Sequence, residues 1–147
     1  MIFRGCPYKC SFCSNSALSN LYKSKKPRSR SVEHVLSELR NVKEYLPQVG
    51  CINFYDEVFS SSWSMLPEFC KCYKKEIGFP FYCEFYPGSV KENAIAILKE
   101  AGLSGVWLGV QAGSERIRRE IFSRHYSNAT VLKSEVWYLY PLWLYFR

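Results

Sequence analysis

The amino-acid sequence predicts an α/β fold: a partial (βα) barrel, in which a curled parallel sheet of about four strands carries helices outside. Three observations lead there. Short apolar runs alternate strictly with segments of helical period. Helical segments are followed by stops such as Pro47, Gly50, Gly78 and Gly102. Polar residues able to do chemistry follow the apolar runs, at the ends where a parallel sheet collects its sites.

Taken in order, Ile2-Phe3 reads as the stub of a first strand, and a polar, cationic loop runs from Ser14 to Arg30. Ser31 can cap a helix whose apolar face is Val32, Val35, Leu36, Leu39, Val42 and Leu46. Cys51-Ile52-Asn53-Phe54-Tyr55 reads as a buried strand ending at Asp56-Glu57. A second helix runs through Leu66, Phe69, Cys70 and Tyr73, and Phe81-Tyr82-Cys83-Glu84-Phe85 is a third strand. Ser89-x-x-Glu92 has the form of a capping box and opens a helix through Leu98 that Gly102 closes. Val106-Trp107-Leu108-Gly109-Val110 is a fourth strand, and helical segments start at Ser114 and Asn128. Right-handed crossovers would curl such a sheet. Cys6, Asp56-Glu57, Glu84 and the segment Gln111 to Ser114 would then face one rim.

A chain of 147 residues suits one domain. With 48% hydrophobic and 17% aromatic residues it is not a disordered tail. The odd count of seven cysteines, with no leader at Met1-Ile2-Phe3, argues against a disulfide scaffold. We therefore expect a cytoplasmic chain with reduced thiols. No apolar run reaches the roughly eighteen residues of a membrane span, so no membrane is expected. Part of the net charge of +7 sits in Lys23, Lys25, Lys26, Arg28 and Arg30, and part in Arg116, Arg118, Arg119 and Arg124. A solvated helix face or loop accounts for such groups; an anionic partner such as RNA or a phosphorylated substrate is the alternative. Residues 1–134 are expected to form a partial core domain. Residues 135–147 are expected to be a divergent aromatic tail outside it, either exposing apolar surface or covering an open sheet face.

The chemistry is concentrated in Cys6-Pro7-Tyr8-Lys9-Cys10-Ser11-Phe12-Cys13, where three thiols are spaced by three and then two residues. Thiolates are the soft ligands that iron–sulfur clusters take. Three ligands for the four irons of a [4Fe–4S] cluster leave one iron open to a cosubstrate, whereas four would suit electron transfer. A zinc site usually shows a second cysteine pair. Cys70 and Cys72, two apart on a helix, point to different faces. Cys51 and Cys83 lie in apolar strands and read as core residues. His34 reads as solvent-facing, and His125 as a candidate for the rim.

Arg4-Gly5-Cys6-Pro7-Tyr8-Lys9-Cys10-Ser11-Phe12-Cys13 resembles the signature of the radical S-adenosylmethionine superfamily. It resembles the branch that often carries an upstream cobalamin-binding domain, and also that branch's tRNA-methylthiolating relatives. The resemblance continues through Phe54-Tyr55-Asp56-Glu57-Val58-Phe59 and Gly109-Val110-Gln111-Ala112-Gly113-Ser114-Glu115, and covers residues 2–134. It implies a [4Fe–4S] cluster on Cys6, Cys10 and Cys13, with S-adenosyl-L-methionine chelating the open iron. It implies reductive cleavage of the cosubstrate to a 5′-deoxyadenosyl radical, for hydrogen abstraction or for methyl or sulfur transfer on an unknown substrate. The electron would come from a reductant such as a flavodoxin or ferredoxin, and cobalamin would belong only to a full-length relative. By the same resemblance, Asp56 or Glu57 accepts from the cosubstrate's amino group, and strand alternation lets only one of them do so. Phe12 packs near the adenine or simply within its loop, Gln111 and Ser114 meet the ribose or carboxylate, and Glu84 reaches the pocket or pairs with a basic residue; Ser114 serves equally well as a helix cap. The family core has more βα units than this chain offers, so the chain reads as truncated. A non-catalytic iron–sulfur-binding fragment, an electron carrier and an RNA-modifying member of the same superfamily stay open as alternatives.

Overall fold

The computed structural model describes residues 1–23, 27–59, 63–139 and 143–146, with side chains followed to residue 134. Its first element departs from expectation. β1 (Phe3–Arg4) does not join the parallel sheet but pairs antiparallel with β2 (Arg28–Ser29), Phe3 opposite Ser29. The reason lies in Asp56, whose buried carboxylate accepts the Ile2 and Phe3 backbone N–H groups at 2.7 and 2.6 Å. Those are donors that a neighbouring strand would otherwise take. Between the two halves of the ribbon lies α1 (Ser14–Leu21), a helix with no buried residue.

The remaining elements alternate as expected. α2 (Val32–Tyr45) begins at Ser31, whose hydroxyl accepts the His34 N–H at 3.3 Å. Val32, Val35, Leu36 and Leu39 are buried, but Leu46 lies past the helix end and is exposed. β3 (Ile52–Phe54), α3 (Leu66–Glu76), β4 (Phe81–Phe85), α4 (Glu92–Ala101) and β5 (Leu103–Leu108) follow. A five-residue π-helical turn spans Ile117–Ile121, then α5 (Asn128–Leu139) leads to β6 (Trp143–Phe146). The sheet is parallel, in the order β3-β4-β5-β6, with Phe54 opposite Cys83 and Phe85 opposite Leu108. The expected count of about four strands holds, but Trp143–Phe146 is a member and Ile2-Phe3 is not. The sheet is open, a partial rather than a closed barrel. The expectation about the tail's apolar side chains falls outside the described residues.

Alternate residues of β4, Phe81, Cys83 and Phe85, are buried, and with Val106 and Leu108 of β5 they form the middle of the core. Edge-to-face aromatic pairs join this sheet to α3, Tyr73 to Phe81 at 5.0 Å and Phe54 to Phe69 at 6.0 Å, and another joins β3 to β4, Phe54 to Phe81 at 5.6 Å. Each such pair adds roughly 0.5–1.5 kcal/mol beyond the area buried. The Tyr73 hydroxyl donates to the Phe79 carbonyl at 2.9 Å, so burial strands no polar atom there.

Three local expectations are corrected. Cys51 is exposed, because β3 starts one residue later and leaves it in the preceding loop; Cys83 is buried as expected. Ser89 does not cap α4: the helix starts from Lys91 with no side-chain cap, because the Ser89 N–H turns back to the Tyr86 carbonyl at 2.9 Å. The basic residues after β5 are not all solvated: Arg118 is 1% and Arg124 6% exposed. At the other end of α4, Gly102 takes φ +114° as its left-handed cap, and an added Cβ would lie 3.3 Å from the Phe79 carbonyl oxygen.

The Asp56 contact yields a stability prediction. Burial pushes this carboxyl above its ordinary value, against the two N–H bonds that pull it down. Its contribution to stability is therefore fully present below the ordinary aspartate range and is lost as pH rises through the raised value. Asp56→Asn keeps an acceptor and removes the charge, and should flatten that slope in urea midpoints measured across acid pH. Asp56→Ala leaves two buried N–H groups unpaired and should cost about 1–3 kcal/mol at acid pH, where the Asp56 contribution is fully present.

Candidate functional site

The cysteine loop leaves β1 through Gly5, whose φ of +89° turns the chain in a way a side chain would resist. It has little structure of its own, and its order is imposed from outside. The Ser11 N–H donates to the Phe122 carbonyl at 3.1 Å and its hydroxyl to the Ile121 carbonyl at 2.5 Å. The Tyr8 ring stacks on Tyr86 at 3.7 Å and 8°, and Tyr86 meets the edge of Tyr126 at 5.1 Å. Within the loop, the Cys13 N–H donates to the Cys10 carbonyl at 3.2 Å, and Cys13 then opens α1.

This pinning sets the three thiols around a cavity of about 380 Å³ at the carboxyl ends of β3, β4 and β5. Of the residues singled out in the sequence, Cys6, Cys10, Cys13, Phe12, Glu57, Glu84 and Gln111 line it. Asp56 and Ser114 do not. Asp56 faces the β1 backbone, and the Ser114 hydroxyl accepts the Ile117 N–H at 3.4 Å as a helix cap. Of the Asp56-Glu57 pair, one residue lines the cavity and it is Glu57; both lie past the end of β3, in the turn that follows it. Gln111 enters the cavity wall from a left-handed backbone, φ +70°, a strained conformation of the kind that collects at functional sites. Phe12 is half-exposed and packs its edge on Phe122 at 5.1 Å. His125 is exposed and does not line the cavity.

The wall also holds residues that the sequence reading passed over: Tyr8, Tyr86, Trp107 and Arg124. Tyr8 lies between two cysteines and could have been noticed there. Arg124 looked like one more surface cation, and only the fold shows its guanidinium against the Cys10 sulfur at 3.6 Å. Burial raises the Tyr86 hydroxyl to about 12, although Arg124 pulls it down. That tyrosine is neutral at ordinary pH.

The donor set suits a cationic occupant. Burial pushes the Cys6 thiol up, a hydrogen bond from the Tyr8 backbone opposes this, and the nearby Cys10, Cys13 and Glu57 raise it further. A thiol held protonated by burial and by the thiols and carboxylate around it is the setting that a bound cation reverses. One Glu57 carboxylate oxygen is buried with no hydrogen-bond partner, an acceptor left available on the cavity wall. Among the described residues, no three His, Cys, Asp or Glu side chains close on a single ion. A cuboidal cluster takes its thiolates on three separate irons, so its ligands stand farther apart than those of one ion. On these grounds the residues present fit an iron–sulfur cluster. No helix among the described residues is long and apolar enough to cross a membrane.

Comparison with known proteins agrees with this geometry. The family model of the radical SAM superfamily matches residues 1–134. An uncharacterized methyltransferase of Pyrococcus horikoshii is 30% identical over 118 residues, 80% of this chain and 25% of the relative. This chain thus spans about a quarter of that curated relative. Among solved structures, the fold is similar to the radical S-adenosylmethionine methyltransferase TsrM of Kitasatospora setae, determined with cobalamin and a [4Fe–4S] cluster bound. That match has a TM-score of 0.74 at 14% identity, over 99% of this chain and 27% of that one. It is also similar to BtrN in complex with AdoMet and 2-DOIA, with a TM-score of 0.55 at 16% identity, over 99% of this chain and 53% of that one. With the family model matched over nearly the whole chain and the cysteine loop at the mouth of a partial barrel, this chain belongs to the radical SAM superfamily.

Proposed function

We propose that this chain is the cluster- and cosubstrate-binding portion of a methyl-transferring member of the radical SAM superfamily. One observation carries the reading: Cys6, Cys10, Cys13 and Glu57 line one cavity at the carboxyl ends of three parallel strands. The methyltransferase relative and the TsrM-like fold support methyl transfer as the class of reaction. When bound, a [4Fe–4S] cluster with an open iron would supply an electron to S-adenosylmethionine, taken from a flavodoxin or ferredoxin.

The chain's own residues have separable tasks. Cys6, Cys10 and Cys13 provide three thiolates, and their number leaves one coordination site unfilled. Glu57 offers its unpartnered carboxylate oxygen to the amino group of the cosubstrate, a charge-assisted contact. Glu84 and Gln111 line the same wall and can orient the polar part of the ligand, while Phe12 and Trp107 offer apolar surface for its adenine. The Tyr8–Tyr86 stack closes one side and limits access of water. Ser114 and Asp56 act on the scaffold: one caps the turn after β5, the other anchors β1.

Two experiments test this. Anaerobic reconstitution with iron and sulfide should give a [4Fe–4S] absorbance that is lost in each of Cys6→Ala, Cys10→Ala and Cys13→Ala but kept in Cys70→Ala and Cys72→Ala. A cluster that persists in the triple variant contradicts the ligand assignment. Glu57→Gln should keep the cluster but weaken S-adenosylmethionine binding roughly tenfold to a hundredfold, the usual loss for a charged hydrogen bond. Affinity is read from the change in the reduced protein's electron paramagnetic resonance as cosubstrate is added, and an unchanged affinity removes Glu57 from the site.

A further inference from the structure

The basic residues after β5 are of two kinds. Arg116 and Arg119 are exposed and pair with Glu120 and Glu115 at 3.1 and 3.3 Å, as a helix surface allows. Arg124 is buried, and its guanidinium is used from every side. Nε donates to the Tyr126 hydroxyl at 3.1 Å, Nη2 to the Gly109 carbonyl at 2.6 Å and Nη1 to the Cys10 sulfur at 3.6 Å. The rings of Tyr86 and Tyr126 lie 4.4 and 5.5 Å from its central carbon. A buried cation is costly unless its surroundings offer negative charge or good acceptors. Its acceptors here are two neutral oxygens and one thiol sulfur. If that sulfur becomes a thiolate on a cluster, the arrangement becomes a charge-assisted pair.

We infer that Arg124 is a positioning residue of the thiol cradle, which fixes the Cys10 side chain and sets positive charge beside any cluster bound there. The inference rests on the cluster reading above. The geometry supports both halves of it. The guanidinium fork ties Cys10 to Gly109 at the end of β5, so the loop and the sheet rim are held by one planar group. Taking up one electron from a low-potential donor such as dithionite makes a cluster more negative, with no bond made or broken. A fixed cation at its ligand sulfur favours that reduced state, since hydrogen bonds and charge at the sulfurs set cluster potentials.

The test compares wild type, Arg124→Gln and Arg124→Lys after anaerobic reconstitution of the full chain, by iron and sulfide content and by redox titration followed by electron paramagnetic resonance. Arg124→Gln should shift the reduction equilibrium about tenfold toward the oxidised cluster, a fall of about 59 mV for one electron. Arg124→Lys should recover most of that shift. If Arg124→Gln loses the cluster outright while Arg124→Lys keeps it, the requirement for charge is also supported. A Gln midpoint equal to wild type overturns the inference. So does an equal shift, or an equal loss of cluster, in both variants, which would assign the residue a packing role only. Wild type without a cluster would overturn the proposed function and this inference with it, whereas a wild-type cluster with an unmoved Gln midpoint overturns this inference alone.

Discussion

A buried carboxylate holds the front of this protein in place. Asp56, just past β3, takes the backbone N–H groups of Ile2 and Phe3, residues more than fifty positions away in the chain. Everything in the cysteine loop hangs from that attachment. β1 is two residues long and, among the described residues, pairs only with an equally short β2, too little ladder to stand alone in water. The Asp56 contact gives the ribbon a fixed end on the sheet. Phe3 reinforces it by meeting Phe59 and Trp63 edge to face at 5.5 and 5.3 Å. With its near end fixed, the loop needs only one more attachment to be set in space. The segment from Ile121 to Tyr126 supplies it, through Ser11 on one side and the stack of Tyr8, Tyr86 and Tyr126 on the other.

The two attachments divide the polar work between neighbours. Asp56 and Glu57 are adjacent in the turn past β3, yet one serves the scaffold and the other lines the cavity. Arg118 and Arg124 repeat that division across the π-helical turn. Arg118 donates to the carbonyls of Ala112 and Gly113 at 2.6 and 3.1 Å and to the Asn128 side chain, shaping the loop that carries Gln111. Arg124 reaches past it to the cysteine loop. π-Helical turns are often found at functional sites, and here the turn carries Arg118 and ends just before Arg124. Both cations are covered by Tyr126, which lies 5.0 Å from Arg118 and 5.5 Å from Arg124. That one ring ties the wall of the cavity to the loop behind it.

Much of this could be read from the sequence, for identifiable reasons. Helix periods and stops are local signals, so Ser31, Gly78 and Gly102 mark their helix ends correctly. Cysteine spacing is local too, and the three thiols do line one cavity. Partners distant in sequence leave no such trace. An aspartate that captures the N-terminal backbone looks like any aspartate at the end of a strand. An arginine buried by two tyrosines looks like its solvated neighbours Arg116 and Arg119. Ser89-x-x-Glu92 fails as a capping box because a turn at Tyr86 takes the Ser89 N–H first, a competition the four-residue pattern does not contain. Cys51 fails as a core residue because a strand boundary moved by one position changes its environment entirely.

The central claim is that three thiolates from one loop hold a cluster with one iron left open beside Glu57. Mössbauer spectroscopy of protein reconstituted with ⁵⁷Fe, with and without S-adenosylmethionine, tests it most directly. The account predicts that cosubstrate shifts roughly one iron in four while the other three keep tetrahedral sulfur parameters. A spectrum in which all four irons are alike and unmoved by cosubstrate would mean a fourth protein ligand and an electron-transfer centre, and would contradict it.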